Sequence, residues 1–167
     1  KNEEDFSENK VFHSDNSINN SIKQILKIDP NFDVESFYNG AKRAFEFILT
    51  EYSKNNIKSL DKIISKNIKF AFDEQIKQRQ KRSETLEITV ISVKEPILQD
   101  VSIKNKSIAL VKIHFDSEQV QITKNKDGDT IEGDPNQILS IKENWTFSKN
   151  LKTSDPNWTL EKIEESI

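Results

Sequence analysis

Apolar positions in this chain follow two periods, one helical and one of two, with the change near residue 85. The clearest helical run is DVESFYNGAKRAFEFILTEY, from Asp33 to Tyr52. Val34, Phe37, Tyr38, Ala41, Ala44, Phe45, Ile48, Leu49 and Tyr52 recur there at steps of three and four, which makes one apolar stripe. Glu35, Asn39, Lys42, Arg43, Glu46 and Glu51 occupy the other side, with only Phe47 out of place. Asp33 is the expected N-cap, since its carboxylate can accept a first-turn N–H that has no partner within the helix. Phe32 before the cap and Phe37 inside it are placed to close as a hydrophobic staple. Phe37, Tyr38, Phe45 and Tyr52 put four rings on one stripe, and so much apolar area demands a broad cover.

Three weaker helical patterns flank it. Ile18, Ile22, Ile25 and Leu26 share one face of a short helix ending near Asp29-Pro30. A helix this short is marginal alone, so it needs something to lie on. Two readings are open: it packs on its own domain, or Ile18, Ile22, Lys23, Ile25, Leu26 and Lys27 touch a membrane surface or a partner. Ile57 to Ser65 reads as a second short helix with Ile57, Leu60, Ile63 and Ile64 inward. Asn67 to Arg82 reads as a third, with Ile68, Ala71, Phe72, Gln75, Ile76 and Arg79 on one side. Its basic end, KQRQKR, suits a helix C-terminus. Lys77, Arg79, Lys81 and Arg82 there are also candidates for contact with an anionic headgroup.

Beyond Leu86 the pattern alternates. Leu86, Ile88 and Val90 share one face and Ile91 and Val93 the other, a switch that marks a bulge. Pro96 interrupts the pattern. A second strand runs from Ser107 to Ser117 with Ala109, Val111, Ile113 and Phe115 on one face, and a third begins at Val120 and Ile122. Asn125 to Gly128 and Gly133-Asp134-Pro135 are turn signals. Leu139, Ile141, Trp145 and Phe147 line a fourth strand, interrupted by Glu143. Asp155-Pro156-Asn157 turns the chain into Trp158, Leu160 and a closing strand. Helices followed by an antiparallel meander predict an α+β fold. A sheet curled around the long helix would leave a hollow at one end, with Phe37, Phe45, Leu49, Phe72, Ile76, Phe115, Trp145 and Phe147 lining the pocket or the core. The division expected is a polar leader over 1–29, unpatterned up to residue 17, and one domain over 30–167.

Composition narrows the possibilities. The net charge of −3 over 167 residues argues against a nucleic-acid coat. Residues 31–83 hold 11 Lys+Arg against 7 Asp+Glu, whereas residues 84–167 hold 10 against 15, so the helical half is basic and the strand half acidic. No cysteine is present, which excludes disulfides, thiolate metal sites and a cysteine nucleophile. There is no methionine, position 1 included, and no apolar run of about 18 residues. The expectation is a chain whose N-terminal segment, with any membrane anchor, has been removed.

Candidate chemistry is sparse. His114 is the one histidine of the expected domain (His13 is in the leader), and nothing beside it suggests metal ligation. Glu143 breaks an apolar face, so it is either a pocket carboxylate with a raised pKa or a residue paired at a bulge. DGDTIEGDP is acidic but lacks the ligand spacing of a calcium loop, and turn chemistry accounts for it. Three glycines leave no phosphate-cradling loop. Trp145 and Trp158 read as core seals. No metal and no cofactor are expected.

Four blocks in order, FYNGAKRAFEFIL, FAFDEQIKQR, DGDTIEGDP and ENWTFSKNLKTSDPNWTL, resemble the Tim44-like domain family over about residues 30–163. The last block, with W-T-F followed by D-P-N-W, is the most specific. The resemblance implies a cone-shaped α+β domain related to NTF2-like folds, with an apolar pocket between helices and sheet. It also implies a non-enzymatic role at an inner membrane: the mitochondrial member helps hold the import motor and its Hsp70 at the channel exit and associates with anionic lipid. Bacterial relatives join a membrane anchor and a linker to this domain, and a bacterial cytoplasmic membrane is the expected location. The partners implied are anionic inner-membrane lipid, a translocating or membrane polypeptide, and translocase components. The 167-residue sequence does not include the long motor-binding N-terminal region of the mitochondrial protein, so the resemblance of this domain does not by itself imply the Hsp70 and channel contacts. Two alternatives stay open. One is an NTF2-like small-molecule-binding or enzymatic domain, for which a buried Glu143 or His114 in a polar cluster would argue. The other is a ribosome-associated adaptor contacting rRNA through Lys77 to Arg82, which the acidic balance disfavours.

Overall fold

The computed structural model describes residues 16–166. The expected leader falls outside the described residues up to residue 15, while Asn16 and Ser17 open the first helix. Helix α1 spans Asn16–Ile28, α2 Val34–Ser53 and α3 Lys66–Lys81, with a 3-10 turn at Ile57–Leu60 between the last two. The strands are β1 Thr85–Val93, β2 Ile97–Lys104, β3 Ile108–Lys124, β4 Thr130–Glu132, β5 Leu139–Asn150 and β6 Thr159–Glu165. They form one antiparallel sheet with the helices on its concave face, the α+β fold that the change of period predicts.

Strand β3 is the axis of the sheet. On one side β2 pairs along Ile108–His114 and β1 along Ser117–Lys124. On the other side β5 pairs along Ile108–Gln119, with β6 beyond it. The short β4 folds back on Thr123 and Lys124. The return from β4 requires a glycine at position 133, because φ is +83° there and a Cβ would stand 2.2 Å from the Gln121 carbonyl oxygen.

The long helix forms as its pattern dictates. Asp33 caps it, with Oδ2 accepting the Ser36 N–H at 3.0 Å and the Ser36 hydroxyl at 2.7 Å. The Ser36 side chain, then its backbone, hold the Asp33 carboxyl below its usual pKa. Phe32 and Phe37 meet at 6.2 Å between centroids, the staple expected of them. Phe45 and Ile48 are fully enclosed, and Phe45 stacks on Phe115 at 4.4 Å and meets Trp145 at a tilt at 4.7 Å.

Several boundaries differ from the sequence reading. The segment Ile57–Ser65 makes only the 3-10 turn, because the Ser65 and Leu160 N–H groups bond to Leu160 O and Ile63 O and draw the chain onto the edge of β6. Helix α3 starts at Lys66, one residue before the expected Asn67, with the Ser65 hydroxyl accepting the Ile68 N–H as its cap. Strand β2 was hidden by a bulge between Leu98 and Asp100, which destroys the alternation of ILQDVSIK. The expected second and third strands are one 17-residue strand, β3. The bulge expected in β1 is present, between Val90 and Ser92.

Helix α1 packs against β2. Ile18, Ile22 and Ile25 are 4%, 1% and 0% exposed, all three in the main core. This corrects the membrane contact considered for them, since the apolar face is covered by the domain's own sheet. Leu26 is half-buried and only Lys23 and Lys27 of that group face solvent. No helix of the described residues is long and apolar enough to cross a membrane.

Candidate functional site: two cavities on the concave face

Along β5 the inward side chains are Ile141, Glu143, Trp145 and Phe147, in that order. Trp145 sits at the middle, wholly buried, with Phe45 and Phe115 against it. These three rings fill the place where a single hollow was expected. They divide the concave face into two cavities, one at each end of β5.

The first cavity is an open groove of about 520 Å³ between the N-terminal half of α2 and the far ends of β5 and β6. Its walls are aromatic. Trp158 meets Phe37 edge-on at 4.9 Å and Phe32 at 6.1 Å, and Phe37 meets Phe147 edge-on at 6.3 Å. The rim is polar, with Asp29, Asp33 and Ser36 from the α1–α2 corner and Arg43 and Lys149 from α2 and β5. Neither Arg43 nor Lys149 has an ion pair among the described residues. The groove therefore offers ring faces to an apolar group and both signs of charge around it.

The second cavity, of about 430 Å³, lies between the C-terminal half of α2 and the opposite end of β5. Leu49, Gln119, Gln121, Ile141, Glu143 and Glu165 are among its walls. Gln119 and Ser117 are each 1% exposed. The Gln121 amide donates to Gln119 Oε1 at 2.8 Å, and the Gln119 amide donates to the Ser117 hydroxyl at 2.9 Å. Glu143 Oε1 accepts the Trp145 indole N–H at 3.2 Å. Burial, with a smaller contribution from the nearby Glu165, raises the Glu143 pKa above the ordinary carboxylate value, against the lowering effect of the indole. Of the two readings of Glu143, the structure selects the half-buried cavity carboxylate. Burial decides this, since the register shift between β5 and β6 falls at Thr146 and Phe147 and not at Glu143.

The eight lining residues expected from the sequence are thus dispersed. Phe37 and Phe147 reach the aromatic groove and Leu49 the polar cavity. Phe45, Phe115 and Trp145 form the partition. Phe72 packs on the Tyr52 ring at 4.5 Å, and Ile76 is buried in the core. Phe32, the expected staple, and Trp158, the expected core seal, are also walls of the groove. Ser117 and Gln119 were missed. Their signal was the odd register of Ala109 to Phe115, which continues without a break once β3 is a single strand.

Other candidates fall outside both cavities. His114 lies on the convex face with Nδ1 2.9 Å from Asn144 Oδ1, far in register from any concave group. In the acidic loop, Asn125 Oδ1 accepts the Asp127 and Asp129 N–H groups and Asp134 Oδ1 accepts that of Asn136, which is turn chemistry. Among the described residues no three His, Cys, Asp or Glu side chains are grouped to hold a metal. In the basic cluster, Lys77, Lys81 and Arg82 are exposed. Arg79 is turned inward, with its guanidinium 4.9 Å over the Tyr52 ring and Nη1 donating to the Tyr52 hydroxyl at 3.0 Å. That removes it from the headgroup-binding set.

The Tim44-like domain matches residues 18–165. An uncharacterized protein of Rickettsia prowazekii is 26% identical over 149 residues, which are 89% of this chain and 60% of that protein. A probable mitochondrial import inner membrane translocase subunit of Caenorhabditis elegans is 22% identical over 148 residues, 87% of this chain and 35% of that protein. The match therefore spans less than two thirds of either relative. Among solved structures, the intermembrane-space region of the chloroplast protein ARC6 aligns over 74% of this chain and 96% of its own, at 11% identity and a TM-score of 0.46.

Proposed function

The chain belongs to the Tim44-like domain family, and from that premise we propose that it is a non-enzymatic domain that docks polypeptide at an inner membrane during protein translocation or assembly. The observation that carries this reading is the aromatic groove beside Trp158. Phe32, Phe37 and Trp158 present ring surface at an opening of about 520 Å³, ample for one or two bulky apolar side chains of a bound segment. Arg43 and Lys149 on one rim and Asp29 and Asp33 on another would orient a charged segment along it. The acidic strand half favours basic amphipathic segments at moderate salt. Glu143 bonds to an indole, a partner that holds it in place and takes no part in proton transfer, and His114 bonds to the Asn144 amide on the other face of the sheet.

Membrane attachment is the second half of the reading. Lys77, Lys81 and Arg82 at the end of α3, with Lys23 and Lys27 on the outer face of α1, are the exposed cations suited to anionic headgroups. The Caenorhabditis elegans relative is a probable subunit of a mitochondrial import inner membrane translocase, and an inner-membrane setting is proposed for this chain.

The test pairs two titrations. A fluorescent basic amphipathic peptide should bind saturably at low ionic strength and lose most of its affinity in the Trp158→Ala variant. Vesicles with and without cardiolipin, across a salt series, should sediment the domain only when anionic lipid is present. Absence of peptide binding at any ionic strength would remove the docking role.

A further inference from the structure

The polar cavity carries an inference independent of the aromatic groove, which lies at the other end of β5. Glu143 and Glu165 are direct register partners across β5 and β6, so both side chains leave the same concave face. Cβ atoms of such a pair stand about 5 Å apart, and like charges placed so repel. Among the described residues neither carboxylate has an ion pair, although the chain holds 25 Lys+Arg. The titratable groups around the cavity are Glu143, Glu165 and Lys142, and α2 contributes only the apolar Leu49. Behind the pair stands the chain of Gln121, Gln119 and Ser117. Each amide spends one N–H on it, and Gln121 Oε1 accepts nothing within it. The indole takes one oxygen of Glu143 and leaves the other.

We propose that this cavity is a binding site for a single cationic group, a guanidinium or an ammonium, seated between Glu143 and Glu165. Gln121 Oε1 supplies a third acceptor, and Leu49 lies along the alkyl stem that carries the cation. A cation there replaces the repulsion between two carboxylates with two charge-assisted bonds. It also favours the ionised form of Glu143, so binding releases a proton below the raised pKa of that group and tightens as pH rises through it. The group is either an arginine or lysine side chain of a polypeptide or the end of a small free amine.

Nuclear magnetic resonance titrations of the whole chain distinguish these sources. The ligands are a blocked pentapeptide with one central arginine, the same peptide with citrulline in its place, and agmatine. Saturable shifts of the Gln119 and Gln121 side-chain amides are expected with the arginine peptide and not with the neutral citrulline peptide. Agmatine binding as well as the peptide identifies a free-amine site, and binding of the peptide alone identifies side-chain recognition. Glu143→Gln and Glu165→Gln, both isosteric, should each weaken binding about tenfold, the loss of one charge-assisted contact. Trp158→Ala should leave it unchanged, which separates failure of this site from failure of the groove. No saturable shift with either cationic ligand, equal binding of the citrulline peptide, or undiminished affinity in both glutamine variants would overturn the proposal.

Discussion

Arg79 of α3 donates to the hydroxyl of Tyr52 in α2 at 3.0 Å and lies 4.9 Å over the centre of its ring. The same hydroxyl donates to Gln75, so two consecutive helices are tied at one oxygen. The Arg79 Nε and Nη2 atoms are buried with no hydrogen-bond partner, so the cation depends on the ring face and that one bond. Tyr52→Phe removes the acceptor and leaves the guanidinium with less. It should destabilise the domain by about 1–3 kcal/mol in urea unfolding, more than an exposed Lys77→Ala in the same helix.

Phe45 is the keystone of the partition between the cavities. It is 1% exposed and touches both Phe115 and Trp145. Phe45→Ala should cost about 3–5 kcal/mol and open the two cavities into one. Trp145 fluorescence would report the change as a red shift and as new access to iodide quenching. An unshifted, unquenched spectrum would contradict the packing.

Helix α1 is part of the domain core. Ile22, 1% exposed against β2, should cost about 2–5 kcal/mol when replaced by alanine. Hydrogen exchange over Asn16–Ile28 should then accelerate before that of β3. A helix lying free of the sheet would show neither effect.

The raised pKa of Glu143 sets a pH dependence with a definite sign. Between its unfolded and folded pKa values the native state holds the proton more tightly, so stability falls as pH rises through that window. Below the unfolded value the penalty vanishes. Glu143→Gln should therefore match the parent near pH 4 and equal or exceed it in stability at pH 7. Parallel denaturation curves at the two pH values decide it, and a variant less stable at pH 7 than at pH 4 relative to the parent would reverse the assignment.

Asp33 behaves in the opposite sense, because its folded pKa is lowered by the cap. Its stabilisation is present above the unfolded pKa and is lost as pH falls through the folded value. Asp33→Ala should cost about 1 kcal/mol at neutral pH and less in acid. Thermal melts at both pH values check this.

The sequence by itself determined the local matters: α2 with its cap and staple, α3, the change to strands, and the bulge in β1. Each is written in a few consecutive residues, since a helix or strand aligns neighbours at a set period and a cap needs one side chain in one place. The Tim44-like resemblance was legible in four such blocks. What only the tertiary structure decided is which elements meet. Strand β2 was invisible because its bulge erases the alternation, and β3 was cut in two because its apolar side chains change face after Ser117. Arg79 belongs by sequence both to the Ile68, Phe72 and Ile76 side of α3 and to its basic end, and the bond to Tyr52 decides for the inward side. The two cavities follow from the meeting of Phe45 with Phe115 and Trp145, and the facing of Glu143 with Glu165 from one pairing register. Period and caps are local energies. Registers and cavities come from packing distant segments, and no stretch of the chain carries that alone.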